Sequence, residues 1–154
     1  MRNINYLFLA ISIIITSCDN YDIYNQNIMI PNEVWHMDSI AHFNVNISDT
    51  VSSHNIYINL RNTVNYPNSN LYLFIETHAP TGAKLRDTME CILANSRGEW
   101  LGKGFGRIRD NQIPYKVEIR FPSQGDYHFS IQQAMRVREL KEVVSVGLRI
   151  ETTN

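Results

Sequence analysis

The chain has 154 residues, 44% of them hydrophobic, and 14 Lys and Arg against 15 Asp and Glu give a formal net charge of −1. A balance this close to neutral argues against general nucleic-acid binding, which needs an excess of basic side chains. The length suits one domain with a real core.

The chain opens with Arg2 in a short polar start, then a nearly unbroken apolar run from Tyr6 to Ile15, then Thr16, Ser17 and Cys18. Ile15-Thr16-Ser17-Cys18 forms a lipobox, so residues 1–17 read as a lipoprotein signal peptide and Cys18 as the acylated first residue of the mature chain. The apolar run is shorter than the roughly 20 residues a helix needs to span a bilayer. Acyl chains on Cys18 contribute on the order of 0.8 kcal/mol per buried methylene and anchor the protein instead. The polar, Asn-rich residues 18–33 are expected to be a tether, with the folded domain over 34–154.

From Val34 onward the periodicity is that of strands. Ala41, Phe43, Val45 and Ile47 alternate with polar residues, as do Ile56, Ile58 and Leu60, and Leu71 to Ile75 is continuously apolar. Met89, Cys91 and Leu93 follow, then Tyr115, Val117, Ile119 and Phe121; Tyr127, Phe129 and Ile131; and Val144, Val146, Leu148 and Ile150. Turn signals separate them, among them Asn65-Tyr66-Pro67-Asn68, Ala79-Pro80-Thr81-Gly82 and Pro122-Ser123-Gln124-Gly125. The pattern predicts an all-β fold, an antiparallel β-sandwich of about seven to eight strands. One short helix is expected within Gln132–Lys141, with Met135 and Leu140 inward.

With Cys18 acylated, Cys91 has no disulfide partner, and its place in an alternating strand predicts a buried, inert thiol. Charge is unevenly spread. From Cys18 to Leu60 there are Asp19, Asp22, Glu33, Asp38 and Asp49 but no Lys or Arg, whereas Lys84 to Arg109 is rich in bases. Complementarity between the two stretches within the fold, or ordinary solvated faces, is the expected meaning, with a polarised partner surface as the alternative.

A set of short pieces carries a resemblance: Asp49-Thr50, Leu60-Arg61-Asn62, Tyr66-Pro67-Asn68-Ser69-Asn70-Leu71-Tyr72, Asp87-Thr88, Gly98-Glu99-Trp100-Leu101-Gly102, Phe121-Pro122 with Gly125-Asp126-Tyr127, Gln133-Ala134-Met135-Arg136 and Val146-Gly147-Leu148-Arg149-Ile150. In this order, behind a lipobox, the chain resembles the gliding-motility lipoprotein GldH family of Bacteroidetes. The resemblance implies a lipoprotein linked to gliding motility and to the type IX secretion apparatus. Other envelope proteins of that machinery are its implied partners. It implies a lipid-anchored place in the cell envelope, at the outer membrane facing the periplasm, and carries over no catalytic residues.

The residues themselves point away from enzyme chemistry. His36, His42, His54, His78 and His128 show no helical pairing or HExxH run, so no metal site is expected. No Gly-x-Ser-x-Gly elbow is present, and no cofactor is implied. Gly102-Lys103-Gly104-Phe105-Gly106 leads into no helix, which predicts a glycine bend beside Trp100 rather than a phosphate cradle.

Trp100, Phe105, Arg107 and Arg109 are candidates for a partner or ligand face, with Trp35, Tyr66 and Tyr72 as further aromatic candidates; the competing reading is that Trp100 and Tyr72 fill the core, as aromatics in sandwiches mostly do, and that the arginines are simply solvated. Asp-Ser/Thr-apolar triplets at Asp38-Ser39-Ile40, Asp49-Thr50-Val51 and Asp87-Thr88-Met89 look like an O-glycosylation sequon, which makes Ser39, Thr50 and Thr88 candidate acceptors. The competing reading is side-chain turns at strand ends.

Two function classes follow. One is a non-enzymatic envelope component that docks protein partners. The other is a lipid-tethered sandwich that binds glycan or another small ligand, recognisable by two exposed aromatics flanking a groove with polar groups between.

Overall fold

β-Branched and aromatic residues at alternate positions fit a pleated surface with one buried face, and the chain uses that pattern for nearly every element. A computed structural model describes residues 21–153. The lipobox and Cys18 lie outside the described residues.

The described residues form ten strands: β1 (Asp22–Met29), β2 (Val34–His36), β3 (Ile40–Ile47), β4 (His54–Thr63), β5 (Asn70–His78), β6 (Lys84–Ile92), β7 (Ile108–Ile119), β8 (Gly125–Gln133), β9 (Glu139–Lys141) and β10 (Val143–Thr152). All pairings are antiparallel. The first sheet has the order β1-β10-β4-β7, the second β3-β8-β5-β6, and β2 pairs with β9 in a small two-stranded ribbon.

The core lies between the two four-stranded sheets. Ile56, Ile58, Leu60, Val146, Leu148 and Ile150 come from the first; Phe43, Val45, Leu71, Leu73, Ile75, Phe129 and Ile131 come from the second. Each fully buried side chain of this kind contributes about 1.5–3 kcal/mol before entropy costs. The run Leu71–Ile75 resolves into alternation: Leu71, Leu73 and Ile75 are buried, while Tyr72 and Phe74 face outward. Phe74 carries the Arg86 guanidinium 4.7 Å from its ring centroid. Trp35 closes the end near the ribbon, its indole Nε1 donating to the Ser39 carbonyl at 2.9 Å.

The sheet edges are tied across the sandwich. On one side the Tyr24 ring of β1 meets Phe43 of β3 edge-on at 6.5 Å. On the other, Tyr115 of β7 donates its hydroxyl to Asp87 of β6 at 2.5 Å, and the Lys116 ammonium lies 2.9 Å from the same carboxylate. These contacts, the Tyr115 hydroxyl first, hold the Asp87 carboxyl below its usual range.

Two expectations are corrected. The tether expected over 18–33 cannot extend through residues 22–29, because these form β1, paired with β10 from Asp22↔Glu151 to Met29↔Ser145. Only Tyr24 and Ile28 turn inward from this edge strand, so its apolar signal is faint beside its asparagines. The short helix expected in Gln132–Lys141 does not form either. Strand β8 continues to Gln133, the chain bends, and β9 follows. The buried Gln133 side chain takes over the local hydrogen bonding, donating to the Val137 carbonyl at 2.9 Å and accepting from the Met135 N–H at 2.9 Å. Leu140 is nonetheless buried and Met135 packs on the core, as their spacing predicts.

Candidate functional site

The register of the first sheet dictates what its outer face presents. Side chains at alternate positions share a face, so the odd residues of β10, Ser145, Gly147 and Arg149, point away from the core. Gly147 is flanked by Asn27 of β1 and Asn59 of β4, and Asn59 in turn by Gln112 of β7. A row of three carboxamides and one glycine thus crosses four strands, roughly 14 Å at the usual strand spacing. The neighbouring rows are Asn25, Arg149, Tyr57 and Pro114 on one side, and Met29, Ser145, Arg61 and Asp110 on the other.

Gly147 is needed because the chain comes close there. A Cβ at this position would lie 2.7 Å from the Gln26 carbonyl oxygen and 2.7 Å from Cγ of Asn27. The Asn27 side chain lies across the notch the glycine leaves.

The 101–103 segment forms a wall beside this floor. It is held by reciprocal backbone bonds, Lys103 N–H to Asp110 O at 2.9 Å and Asp110 N–H to Lys103 O at 2.7 Å. Beneath it the buried Asn111 amide donates to the Leu60 carbonyl at 3.1 Å and to Oδ1 of Asn62 at 2.9 Å. Floor and wall enclose a groove of about 620 Å³, its apolar rim made by Ile92, Leu101, Ile113 and Pro114.

Its electrostatics are nearly balanced. Arg61 Nε lies 2.5 Å from Asp110 Oδ1, and Arg149 bridges Asp22 at 2.7 Å and Glu151 at 2.9 Å. Lys103, at the rim, has no ion-pair partner among the described residues, and the Asn27 and Gln112 carboxamides have no hydrogen-bond partner there. Each carboxamide offers two donors and a carbonyl acceptor, which suits an uncharged ligand with alternating N–H and C=O groups, or hydroxyls.

The sequence candidates do not form one face. Trp100 bridges to Ala94 and packs against the core. Phe105 is fully exposed at the tip of the glycine bend. Arg107 makes a two-pronged pair with Glu33, at 2.8 and 2.7 Å, with Glu142 3.7 Å away. That guanidinium holds the Glu33 carboxyl below its usual range. Arg109 donates to the carbonyls of Gly106 at 2.9 Å and Ile108 at 2.8 Å. Arg107 to Glu33 joins the acidic and basic stretches of the sequence, while Asp22 of the acidic stretch is met by Arg149, outside the basic one. Trp35 and Tyr66 are buried, and Tyr72 is exposed on the second sheet. The groove is walled by Leu101, Gly102 and Lys103, neighbours of these candidates that sequence reasoning passed over. The signal for this floor in the sequence is the alternation of Asn25 with Asn27 within the polar stretch before Val34.

Of the sequon residues, Ser39 and Thr88 are exposed and Thr50 is half-buried. Asp49 closes a turn, accepting the N–H of Val51 at 2.8 Å and of Ser52 at 3.0 Å. With the Ser52 hydroxyl as the largest contributor, these bonds pull its pKa down to about 2. Cys91 is buried, and burial pushes its thiol up to about 12.

Fold and site define the class: an all-β sandwich with an open, amide-floored groove on one sheet. The GldH lipoprotein family model matches residues 22–150, β1 through nearly all of β10. The chain is 35% identical to a protein of Christiangramia forsetii described as gliding motility lipoprotein GldH homolog, over 97% of this chain and 95% of that one. It is 33% identical to gliding motility lipoprotein GldH of Flavobacterium johnsoniae, over 98% of this chain and 97% of that one. The chain belongs to the GldH lipoprotein family.

Proposed function

We propose that this protein is a non-enzymatic component of the gliding-motility machinery, working with the type IX secretion apparatus. It is anchored through acylated Cys18 at the outer membrane, faces the periplasm, and docks a protein partner in the amide-floored groove. The observation that carries the reading is the similarity of nearly the whole chain to proteins described as gliding motility lipoproteins. The groove supports a docking role because its unpaired carboxamides match an extended backbone, whose N–H and C=O groups recur along the strand. Its aliphatic rim would take side chains of the bound segment. A glycan ligand is the weaker fit: the groove's rim is aliphatic, and no aromatic ring lines it to stack on a sugar.

The test is a strain deleted for the gene and complemented with wild type, Cys18→Ala, or a groove variant carrying Asn59→Ala and Gln112→Ala. Colony spreading and the culture-supernatant proteome are measured. Loss of spreading or of secreted cargo in the deletion, restored by wild type but not by Cys18→Ala or the groove variant, is the expected result. Normal spreading and secretion in the deletion strain would overturn the proposal.

A further inference from the structure

The outer face of the second sheet gathers three of the five histidines that the sequence scatters. His42 lies on β3, His128 on β8 and His78 on β5, and the register sets Asn44 opposite His128 and His128 opposite His78. The His42 and His128 rings stack with centroids 5.2 Å apart at 26°. His42 Nδ1 lies 3.1 Å from His128 Nε2 and 3.1 Å from the Ser130 hydroxyl oxygen.

We propose that His42 and His128 chelate one divalent transition-metal ion on this face, with Asn44 holding His128 in the ligating tautomer. The separation of the two nitrogens supports a shared ion. Two imidazoles bound to one metal at about 2.0–2.1 Å, with angles near 90–110°, place their nitrogens roughly 2.9–3.4 Å apart. The tautomer is fixed from the other side of the His128 ring, where Nδ1 sits 2.5 Å from Asn44 Oδ1. A carbonyl oxygen only accepts, so His128 Nδ1 carries the proton and its Nε2 accepts from His42 Nδ1–H in the metal-free protein; on metal binding His42 takes its Nε2–H tautomer, and both lone pairs face the ion. Metal-ligating histidines are commonly oriented in this way, by a partner on the second ring nitrogen.

His78 and Glu76 stand close by but are engaged with each other. Among the described residues no third His, Cys, Asp or Glu joins the two imidazoles. The site is therefore a two-imidazole chelate with open coordination positions on an exposed face. Such a donor set suits Cu²⁺, Ni²⁺ and Zn²⁺, with Cu²⁺ bound most tightly by the general order of divalent affinities.

The experiment titrates the full lipidated protein in detergent micelles with Cu²⁺ and with Zn²⁺, following heat and the Cu²⁺ paramagnetic resonance spectrum. In the lipidated form the α-amino group is acylated and does not compete for copper. One Cu²⁺ per chain with nitrogen hyperfine coupling is expected. His42→Asn and His128→Asn should each weaken binding at least tenfold, and Asn44→Leu about tenfold, the usual cost of losing an orienting partner. His36→Asn, on the β2-β9 ribbon, should bind as wild type does. Circular dichroism of each variant verifies the fold, which these solvent-facing substitutions leave intact. Wild-type affinity in both His42→Asn and His128→Asn, or a spectrum with oxygen ligands alone, would overturn the proposal.

Discussion

Replacing Gly147 with alanine tests both the placement of β1 and the construction of the groove. The added methyl would sit 2.7 Å from the Gln26 carbonyl oxygen, several tenths of an ångström inside contact distance, and would collide with the Asn27 amide. The amide can swing out toward solvent. The carbonyl cannot, because the backbone of β1 is fixed by its pairing with β10. Overpacking of this kind costs about 1–3 kcal/mol. For a domain of this size each kcal/mol lowers the melting temperature by about 2–4 °C, so a loss of roughly 4–8 °C is expected at the middle of that range. Thermal denaturation of the lipidated protein in detergent, followed by circular dichroism, measures it. Adding Asn27→Ala should recover only part of the loss, since it removes the amide collision and leaves the carbonyl one. A melting temperature within 1 °C of wild type for Gly147→Ala would refute the argument, and with it the strand assignment of residues 22–29.

Cys91 should resist maleimide in the native state at neutral pH and react once the protein is unfolded, which mass spectrometry reads directly; native labelling would contradict its burial. His54 is fully buried beside Phe121, and neither ring nitrogen has a partner among the described residues, so His54→Leu should raise stability by about 1 kcal/mol in urea denaturation. A loss of stability would mean the imidazole is satisfied after all. The Asp49 turn contributes stability that is fully present above its ordinary pKa of 3.8 and fades as pH falls through about 2. Asp49→Asn should therefore flatten the acid limb of melting temperature against pH between about 4 and 2, and an unchanged limb would remove the turn from the account. Arg107→Glu should lower the melting temperature by setting a third carboxylate against Glu33 and Glu142, an effect that 1 M salt should reduce.

The seven strands from β3 to β8 and β10 were legible because alternation is a local code. Phe43, Val45 and Ile47, or Val146, Leu148 and Ile150, declare a buried face with no knowledge of what covers it. Elements whose stability comes from elsewhere were not legible in that way. Strand β1 packs only Tyr24 and Ile28 on the core, and it exists because β10 offers an unpaired edge. The stretch after Gln133 carries helical spacing. It turns instead into β9, which buries Leu140 where β2 brings Trp35.

The site divides along the same line. By itself the sequence determined the fold class, the family and the burial of Cys91, all of which depend on residue order over short spans. The tertiary structure decided which residues meet. It spent Arg107 and Arg109 on internal contacts, laid Asn27, Gly147, Asn59 and Gln112 in one row, and set His42 against His128. The four residues of that row lie from 32 to 120 positions apart in the chain, and the two histidines 86 apart. Neighbours at such separations are fixed by strand register alone, and register is a property of the assembled sheet, since a slip of one residue would turn every side chain to the other face.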